Sequence, residues 1–472
     1  MCGKIDINTS KRICQMMRRK AYDEMMKWKA DHRTALLLRG PRQTGKTYLM
    51  KQFSEEYDSS LYINIEDEPA MRKVFENSRN PDEIYRALSI LKGFSVPKGG
   101  PKPLLILDEV QSSEASFSAL KPLAEDGRCD IIASGSLLGV LLNDKLLSPM
   151  GYVKPIYIGP MDFEEFLWAL GTDEKTTSGI RKMISDGQMP ESVRTSAESI
   201  FSKYMIVGGM PAAVSAYVET GDYNEVWARH NEIMEFARGD VMRYAPNALK
   251  IRILAALDSI PRILAKEHKV FKYSEIEHRQ GYGSREYDSS LEWLVAAGLA
   301  IRCRNLSQTK EPLAENERNN SFKLYMHDTG LLMYAYGRET VSAIASGDIY
   351  VNKGAAVENI TAQSLMSSGF RLHFYSKEDS RRELDFVIKY KNKVTGLEVK
   401  SGRKKHSKSL LMSLKEGSID AGIKMADFKA EVDENGVQHL PLFSPAFMES
   451  RTEIELDLPD VSALNRMVEE NR

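Results

Sequence analysis

"ALLLRGPRQTGKTYLMKQF", residues 35–53, decides the fold. An apolar run, Ala35–Leu38, ends in a glycine-containing turn, and a helix-forming run begins at Lys46. Between them Gly40-Pro41-Arg42-Gln43-Thr44-Gly45-Lys46-Thr47 fills every position of GxxxxGK[ST] in the strand-to-helix context that pattern needs. The chemistry explains the spacing. Glycines let backbone N–H groups curl round phosphate oxygens. The helix N-terminus adds positive potential. Lys46 reaches the outer phosphates of a nucleotide, and Thr47 offers a hydroxyl to Mg2+.

Outward from this loop, strands and helices alternate. "SSLYINIED", "PLLILDE", "CDIIASGS" and "KPIYIGP" read as strands, and "PDEIYRALSILKGF", "SSEASFSALKPLAEDG" and "MDFEEFLWALG" as helices. Strands that are apolar throughout and separated by helices indicate a parallel sheet covered on both faces. The fold class expected is therefore α/β, a P-loop parallel sheet over residues 1–170. Asp108 and Glu109 stand at the C-terminal end of an apolar strand, where open α/β sheets bind ligands. Asp108 is expected to hold Mg2+ through water, and Glu109 to orient and deprotonate an attacking water. Ser134 ends the next strand and is a candidate sensor of the γ-phosphate or of the attacking water. The expected cofactors are ATP and Mg2+.

The totals bound the rest. At roughly 100–200 residues per domain, about three domains fit the 472 residues. A net charge of −1 excludes a polycation, so any nucleic-acid contact needs a local patch. Cys2, Cys14, Cys129 and Cys303 are scattered, with neither metal-ligand spacing nor a disulfide framework, which fits a reducing cytoplasm. The start of the chain carries no apolar leader, and no apolar run approaches the roughly 20 residues of a membrane span. Residues 11–30 have helical periodicity with a basic side, the mark of an amphipathic helix packed on the first domain.

Residues 171–265 are helical by pattern. Residues 266–340 read as two short helices followed by a hairpin, "LAIRCRNL" and "SFKLYMHD", the order of a winged helix. Its second helix, "SREYDSSLEWLVAAG", sets Arg285 against Glu286, Asp288 and Glu292, a net charge of −2. That balance favours a structural or protein-contact role over DNA recognition. Residues 345–445 form a third α/β unit, and 446–472 an acidic, peripheral tail.

The third unit contains "ELDFVIKYKNKVTGLEVKSGRKK", residues 383–405. Asp385, Glu398 and Lys400 have the D…ExK order, and the last two point to one face of a strand. Two close carboxylates make a hard oxygen site for Mg2+ or Mn2+, and a lysine can polarise water or stabilise charge on a phosphate. Glu358, in the preceding helix, could supply a further ligand. Lys400 is followed by a basic loop with Arg403, Lys404, Lys405 and Lys408, suited to DNA or another nucleic acid. The set resembles the PD-(D/E)xK restriction-endonuclease-like fold. Cleavage and a binding-only, inactive site both remain open.

"LLLRGPRQTGKTYLMKQF", "LLILDEVQ", "LKPLAEDG", "IIASGSLLGVLL", "IGPMDFEEFL", "YMIVGGMPAAV" and "LYMHDTGLLM" also carry a family resemblance. Over residues 12–445 the chain is similar to bacterial and archaeal AAA-type P-loop ATPases with a C-terminal domain of unknown function. The resemblance implies an ATPase and a homo-oligomer, and the order of the domains suggests that ATP binding or hydrolysis in the first controls the last. Relatives often carry a Gly-Arg pair where this chain has Met150-Gly151-Tyr152, so an arginine finger is not expected there. Arg238 and Arg243, in "FARGDVMRYA", are alternatives that also suit structural ion pairs.

Overall fold

The computed structural model describes residues 17–31, 34–136, 151–277, 284–345, 353–377, 382–400, 407–426 and 430–450. The first sheet holds β1 (Ala35–Gly40), β2 (Ser60–Asn64), β3 (Leu104–Asp108), β4 (Asp130–Ser136) and β5 (Val153–Tyr157), in the order β2-β3-β4-β1-β5. Every pairing is parallel. Alternate residues of each strand serve opposite faces. Leu37, Leu105, Leu107 and Ile131 enter one core, while Leu36, Leu38, Leu104, Ile106 and Ile132 enter the other. The basic N-terminal helix is seen as Lys20–Asp31, with Met25 and Trp28 buried in the second core.

Beside a smaller core that gathers Leu306, Leu384, Val394 and Leu410, the rest of the chain shares one large core running from Met161 to Met448. This shifts two expected boundaries. The helix Phe163–Ala169 was expected to close the first domain, but Phe163 and Phe166 pack on Phe201 and Tyr204 of the helical region. The tail beyond residue 445 was expected to be peripheral. Instead Phe443 and Phe447 stack on Phe163, with Ala446 and Met448 buried beside them. Residues 451–472 lie outside the described residues.

The second sheet has eight strands: β6 (Ala300–Leu306), β7 (Glu317–Met326), β8 (His373–Ser376), β9 (Glu383–Tyr390), β10 (Lys393–Val399), β11 (Ala421–Ala426), β12 (Glu431–Val432) and β13 (Gln438–Pro441). Their order is β12-β13-β11-β10-β9-β8-β6-β7. The expected hairpin is present as β6 and β7, but β6 also pairs in parallel with β8, so the expected boundary at 340–345 is crossed by one continuous sheet. Two acidic residues of the helix Ser284–Ala296 meet protein partners: Asp288 accepts from Tyr273, and Glu292 pairs with Arg302. The helix–strand–hairpin–helix order expected from 353 onward is observed, with β11 continuing the sheet.

A hydrogen-bonded joint ties the segment after β5 to the helical region and to the turn after β7. Met161 N–H donates to Gly209 O at 2.6 Å, Gly209 N–H donates to Asp328 Oδ2 at 2.6 Å, and Tyr204 Oη donates to Met161 O at 2.6 Å. Burial pushes the Asp328 carboxyl up to about 6, against the N–H groups that it caps.

Candidate functional site

The phosphate loop is placed by β1, which ends with its apolar residues buried between two layers. Gly40 is required by close approach, since a Cβ there would stand 2.0 Å from Ile158 O. Gly45 has φ 88°, a left-handed turn that delivers the chain into the helix Lys46–Phe53. That helix has no side-chain cap at its N-terminus, so its first N–H groups are turned toward the loop. From below, Arg19 donates to Thr44 O and Gly159 O, each at 2.7 Å, and pairs with Glu165 at 3.1 Å. Pro41 O accepts from Thr44 Oγ1 at 2.9 Å, and Gln43 takes φ 63° to complete the curl.

Lys46 Nζ donates to Gly40 O at 3.0 Å and to Pro41 O at 2.6 Å. Thr47 Oγ1 donates to Asp108 Oδ2 at 2.7 Å, bringing the end of β3 against the loop helix. Asp108 is buried and also accepts from Tyr62 Oη at 2.7 Å, from Glu109 N–H at 3.0 Å and from Ser134 Oγ. The structure thus turns the Ser134 hydroxyl onto Asp108 rather than into the loop. Thr47 and Asp108 are hard oxygen donors side by side, a fit for Mg2+.

Glu109 has φ 51°, a left-handed backbone, and its side chain has partners other than those of Asp108. Its carboxylate accepts from the Gln111 amide and lies 3.6 Å from Arg42 Nη2. Arg42 also meets Asp240 at 3.2 Å, Tyr244 Oη at 3.0 Å and Glu66 at 3.6 Å. Asp240 and Tyr244 end the helix Tyr223–Tyr244, so the helical region reaches the phosphate loop. Arg243 pairs with Glu66 at 2.6 Å, and Arg238 with Asp258 at 2.6 Å. Met150 lies outside the described residues. Sequence reasoning missed Arg19, Tyr62, Asp240 and Tyr244; each comes from a distant segment, and only Tyr62, a polar aromatic in an apolar strand, carried a local signal.

Burial pushes the Lys46 ammonium down to about 8, against the attraction of Glu109 and Asp108. The sign follows directly. Between about 8 and the ordinary 10.5 the unfolded chain holds the proton and the folded chain does not, so this group's contribution to stability rises with pH there. Phosphate binding needs the ammonium. Nucleotide affinity should therefore fall up to about tenfold per pH unit above about 8, with a proton taken up on binding. Titration calorimetry in buffers of different ionisation enthalpy checks this; affinity flat from pH 7 to about 9.5 would contradict it.

In the second sheet Lys400 Nζ lies 3.2 Å from Glu398 Oε1 and 3.9 Å from Asp385 Oδ2, so the three expected residues do converge. Val399 N–H donates to Asp385 Oδ2 at 2.8 Å, and Glu398 Oε2 is buried with no hydrogen-bond partner among the described residues. Burial, then the charge of Glu358, pushes the Asp385 carboxyl up to about 6. Glu358, the expected third ligand, lies close enough for its charge to act on Asp385, and it has partners of its own. It pairs with Lys269 and with Lys323 at 3.8 Å, and accepts from Tyr325 Oη at 3.1 Å. Burial works to raise its pKa, yet these lysines outweigh that and hold it below the ordinary value. Among the described residues no group of three or more His, Cys, Asp or Glu is arranged to hold a metal ion. Lys323 and Lys424, each a buried lysine between two apolar strand residues, were missed; Lys424 stands opposite Glu398 in the β10–β11 register. Lys408 is exposed, and Arg403, Lys404 and Lys405 lie outside the described residues.

Three family comparisons match successive parts of the chain. Residues 32–167 match the family described as AAA domain. Residues 198–342 and 353–439 match two families, each described as a domain of unknown function (DUF8612 and DUF4143). The first part is thus an AAA-type P-loop ATPase fold. An uncharacterized protein of Methanocaldococcus jannaschii, MJ1637, is 27% identical over 215 residues, which cover 43% of this chain and 43% of that protein. Among solved structures, the Walker-type ATPase PABY2304 of Pyrococcus abyssi is 16% identical with a TM-score of 0.39, covering 68% of this chain and 96% of its own. AMPPCP-bound DnaA from Aquifex aeolicus is 12% identical with a TM-score of 0.31, covering 74% of this chain and 94% of its own. No helix among the described residues is long and apolar enough to cross a membrane.

Proposed function

We propose that the chain is a Mg2+-dependent ATP hydrolase whose nucleotide state is passed to the eight-stranded sheet. The observation that carries this reading is the 2.7 Å contact between Thr47 and Asp108 beside Lys46 and Glu109. Lys46 and the loop N–H groups hold the phosphates, Thr47 and Asp108 hold the metal, and Glu109 takes the proton of the attacking water. When bound, Mg2+ neutralises charge across the outer phosphates. The passage to the second sheet is supported by the helix Tyr223–Tyr244. Its end touches Arg42, and its Asn231 accepts from Tyr334 Oη at 2.6 Å, a few residues beyond β7. Strand β7 carries Lys323 and Tyr325 to Glu358. The test is phosphate release by the full chain with and without Mg2+; no Mg2+-dependent release from the wild type ends the reading.

A second reading adds metal-dependent phosphodiester chemistry on nucleic acid at Asp385, Glu398 and Lys400. It is favoured by the buried Glu398 Oε2, which has no hydrogen bond among the described residues, on a carboxylate whose Oε1 lies 3.2 Å from the Lys400 ammonium. Its rival is a binding-only site, in which lysines already neutralise the carboxylates. The expected result is saturable Mn2+ binding by the full chain, weakened at least about tenfold in Asp385→Ala, on the scale of losing one charged ligand. Mn2+ binding that is absent, or indifferent to Asp385→Ala, selects the rival.

A further inference from the structure

From the placement of Arg42 we infer that its side chain supplies the positive charge that stabilises the transferring γ-phosphate, in cis, from within the phosphate loop itself. This rests on the ATPase reading above and names a catalytic residue for it.

Position is the first argument. Arg42 is the third residue of the loop, between the end of β1 and the helix that receives the phosphates. Its Nη2 lies 3.6 Å from Glu109 Oε2. For Glu109 to accept a proton from the attacking water, that water must lie within about 3 Å of the carboxylate and in line with the γ-phosphate. The guanidinium is therefore one side-chain adjustment from the reacting phosphorus.

Chemistry is the second. Arg42 faces the carboxylates of Glu66, Glu109 and Asp240 and the Tyr244 hydroxyl, and its guanidinium lies over the Tyr244 ring at 4.7 Å. Three carboxylates around one guanidinium make a set of partners that a polyanionic phosphate can replace. The planar fork binds two phosphate oxygens at once, which an ammonium cannot. The side chain is about one-third exposed, so the exchange needs no core to open.

Elimination is the third. The other arginines near the loop are less well placed, Arg39 standing in β1 opposite Tyr157 of β5. Arg19 is buried beneath it on Thr44 O, Gly159 O and Glu165. Arg243 shares Glu66 with Arg42 but lies outside the loop and is 65% exposed, and Arg238 pairs with Asp258. Lys46 lies close enough to feel the Arg42 charge. Two cations thus flank the place where charge develops.

The step balances. Water oxygen bonds to the γ-phosphorus, the bond to the β–γ bridging oxygen breaks with its electron pair going to ADP, and the water proton passes to Glu109. Arg42 stays protonated throughout and stabilises charge on the γ-phosphate oxygens.

The experiment compares wild type, Arg42→Ala, Arg42→Gln and Arg42→Lys as full chains in Mg2+. It measures single-turnover hydrolysis, ATP affinity, and the affinity for ADP with aluminium fluoride relative to ADP alone. Arg42→Ala and Arg42→Gln should lose at least about a hundredfold in rate, the scale of removing one transition-state donor. ATP affinity should stay within about tenfold, and the preference for ADP with aluminium fluoride should disappear, a readout that a merely structural role would not move. Arg42→Lys should restore only part of the rate. An unchanged rate in both Arg42→Ala and Arg42→Gln overturns the inference; so does a raised rate, which would make Arg42 a restraint on Glu109. A wild type with no ATP turnover overturns the ATPase reading and this role with it, whereas active wild type beside unimpaired variants overturns this role alone.

Discussion

Glu109→Gln should bind ATP within a few-fold of the wild type and hydrolyse it about a thousandfold more slowly. Removing a positioned general base costs between about a hundred- and ten-thousandfold. The separation of binding from turnover follows from the geometry. Asp108 accepts from Thr47, Tyr62 and Ser134 and is unaffected by the change. The Glu109 side chain makes no hydrogen bond to that network among the described residues; its own contacts are with Gln111 and Arg42. The amide keeps the shape and cannot take the proton. Phosphate release and nucleotide affinity, measured on the same preparation, decide it. Turnover within tenfold of the wild type would remove Glu109 from the chemistry.

Gly209→Ala should be the most damaging conservative change outside the nucleotide site. A Cβ at Gly209 would lie 2.0 Å from Met161 O and 2.8 Å from Met161 N. Both are backbone atoms, and both are fixed. Met161 N–H donates to Gly209 O at 2.6 Å, and Met161 O accepts from Tyr204 Oη at 2.6 Å. On its other side Gly209 N–H holds Asp328 at 2.6 Å. Relieving the clash therefore breaks hydrogen bonds to a buried carboxylate as well as to backbone. A cost of about 4 kcal/mol, or a fall of roughly 8–16 °C in the first thermal transition, is expected. Gly179→Ala is the matched control. It sits in the helix Glu174–Ser185 with nothing within 4 Å of an added Cβ, and should be neutral or stabilising by up to about 1 kcal/mol. A Gly209→Ala protein that melts with the wild type would mean that the joint yields without cost.

What was legible in the sequence is what is local along the chain. The phosphate loop is contiguous from Ala35 to Phe53, and the strand-end acids lie in one short run, so pattern and spacing suffice for both. The hairpin of β9 and β10 is equally local, which is why Asp385, Glu398 and Lys400 were found together. The rest depends on partners far away. Nothing in "LAIRCRNL" announces that β6 pairs with β8, about seventy residues later, so the hairpin read as part of a separate unit. Glu358 read as a metal ligand because the lysines that neutralise it come from residues 269 and 323. The buried tail carried its own signal, the apolar "LPLFSPAFM" of residues 440–448, which its acidic continuation outweighed. Arg42 was visible as a loop residue, but its side-chain role needs Asp240 and Tyr244, nearly two hundred residues on.

The central claim is that this loop binds Mg-ATP. Its most direct test is calorimetric titration of the full chain with ATP in Mg2+, beside Lys46→Ala. Saturable binding by the wild type at one site per chain, lost in Lys46→Ala, is the predicted result. A wild type that takes up no ATP, or a Lys46→Ala protein that binds it equally well, would contradict the claim.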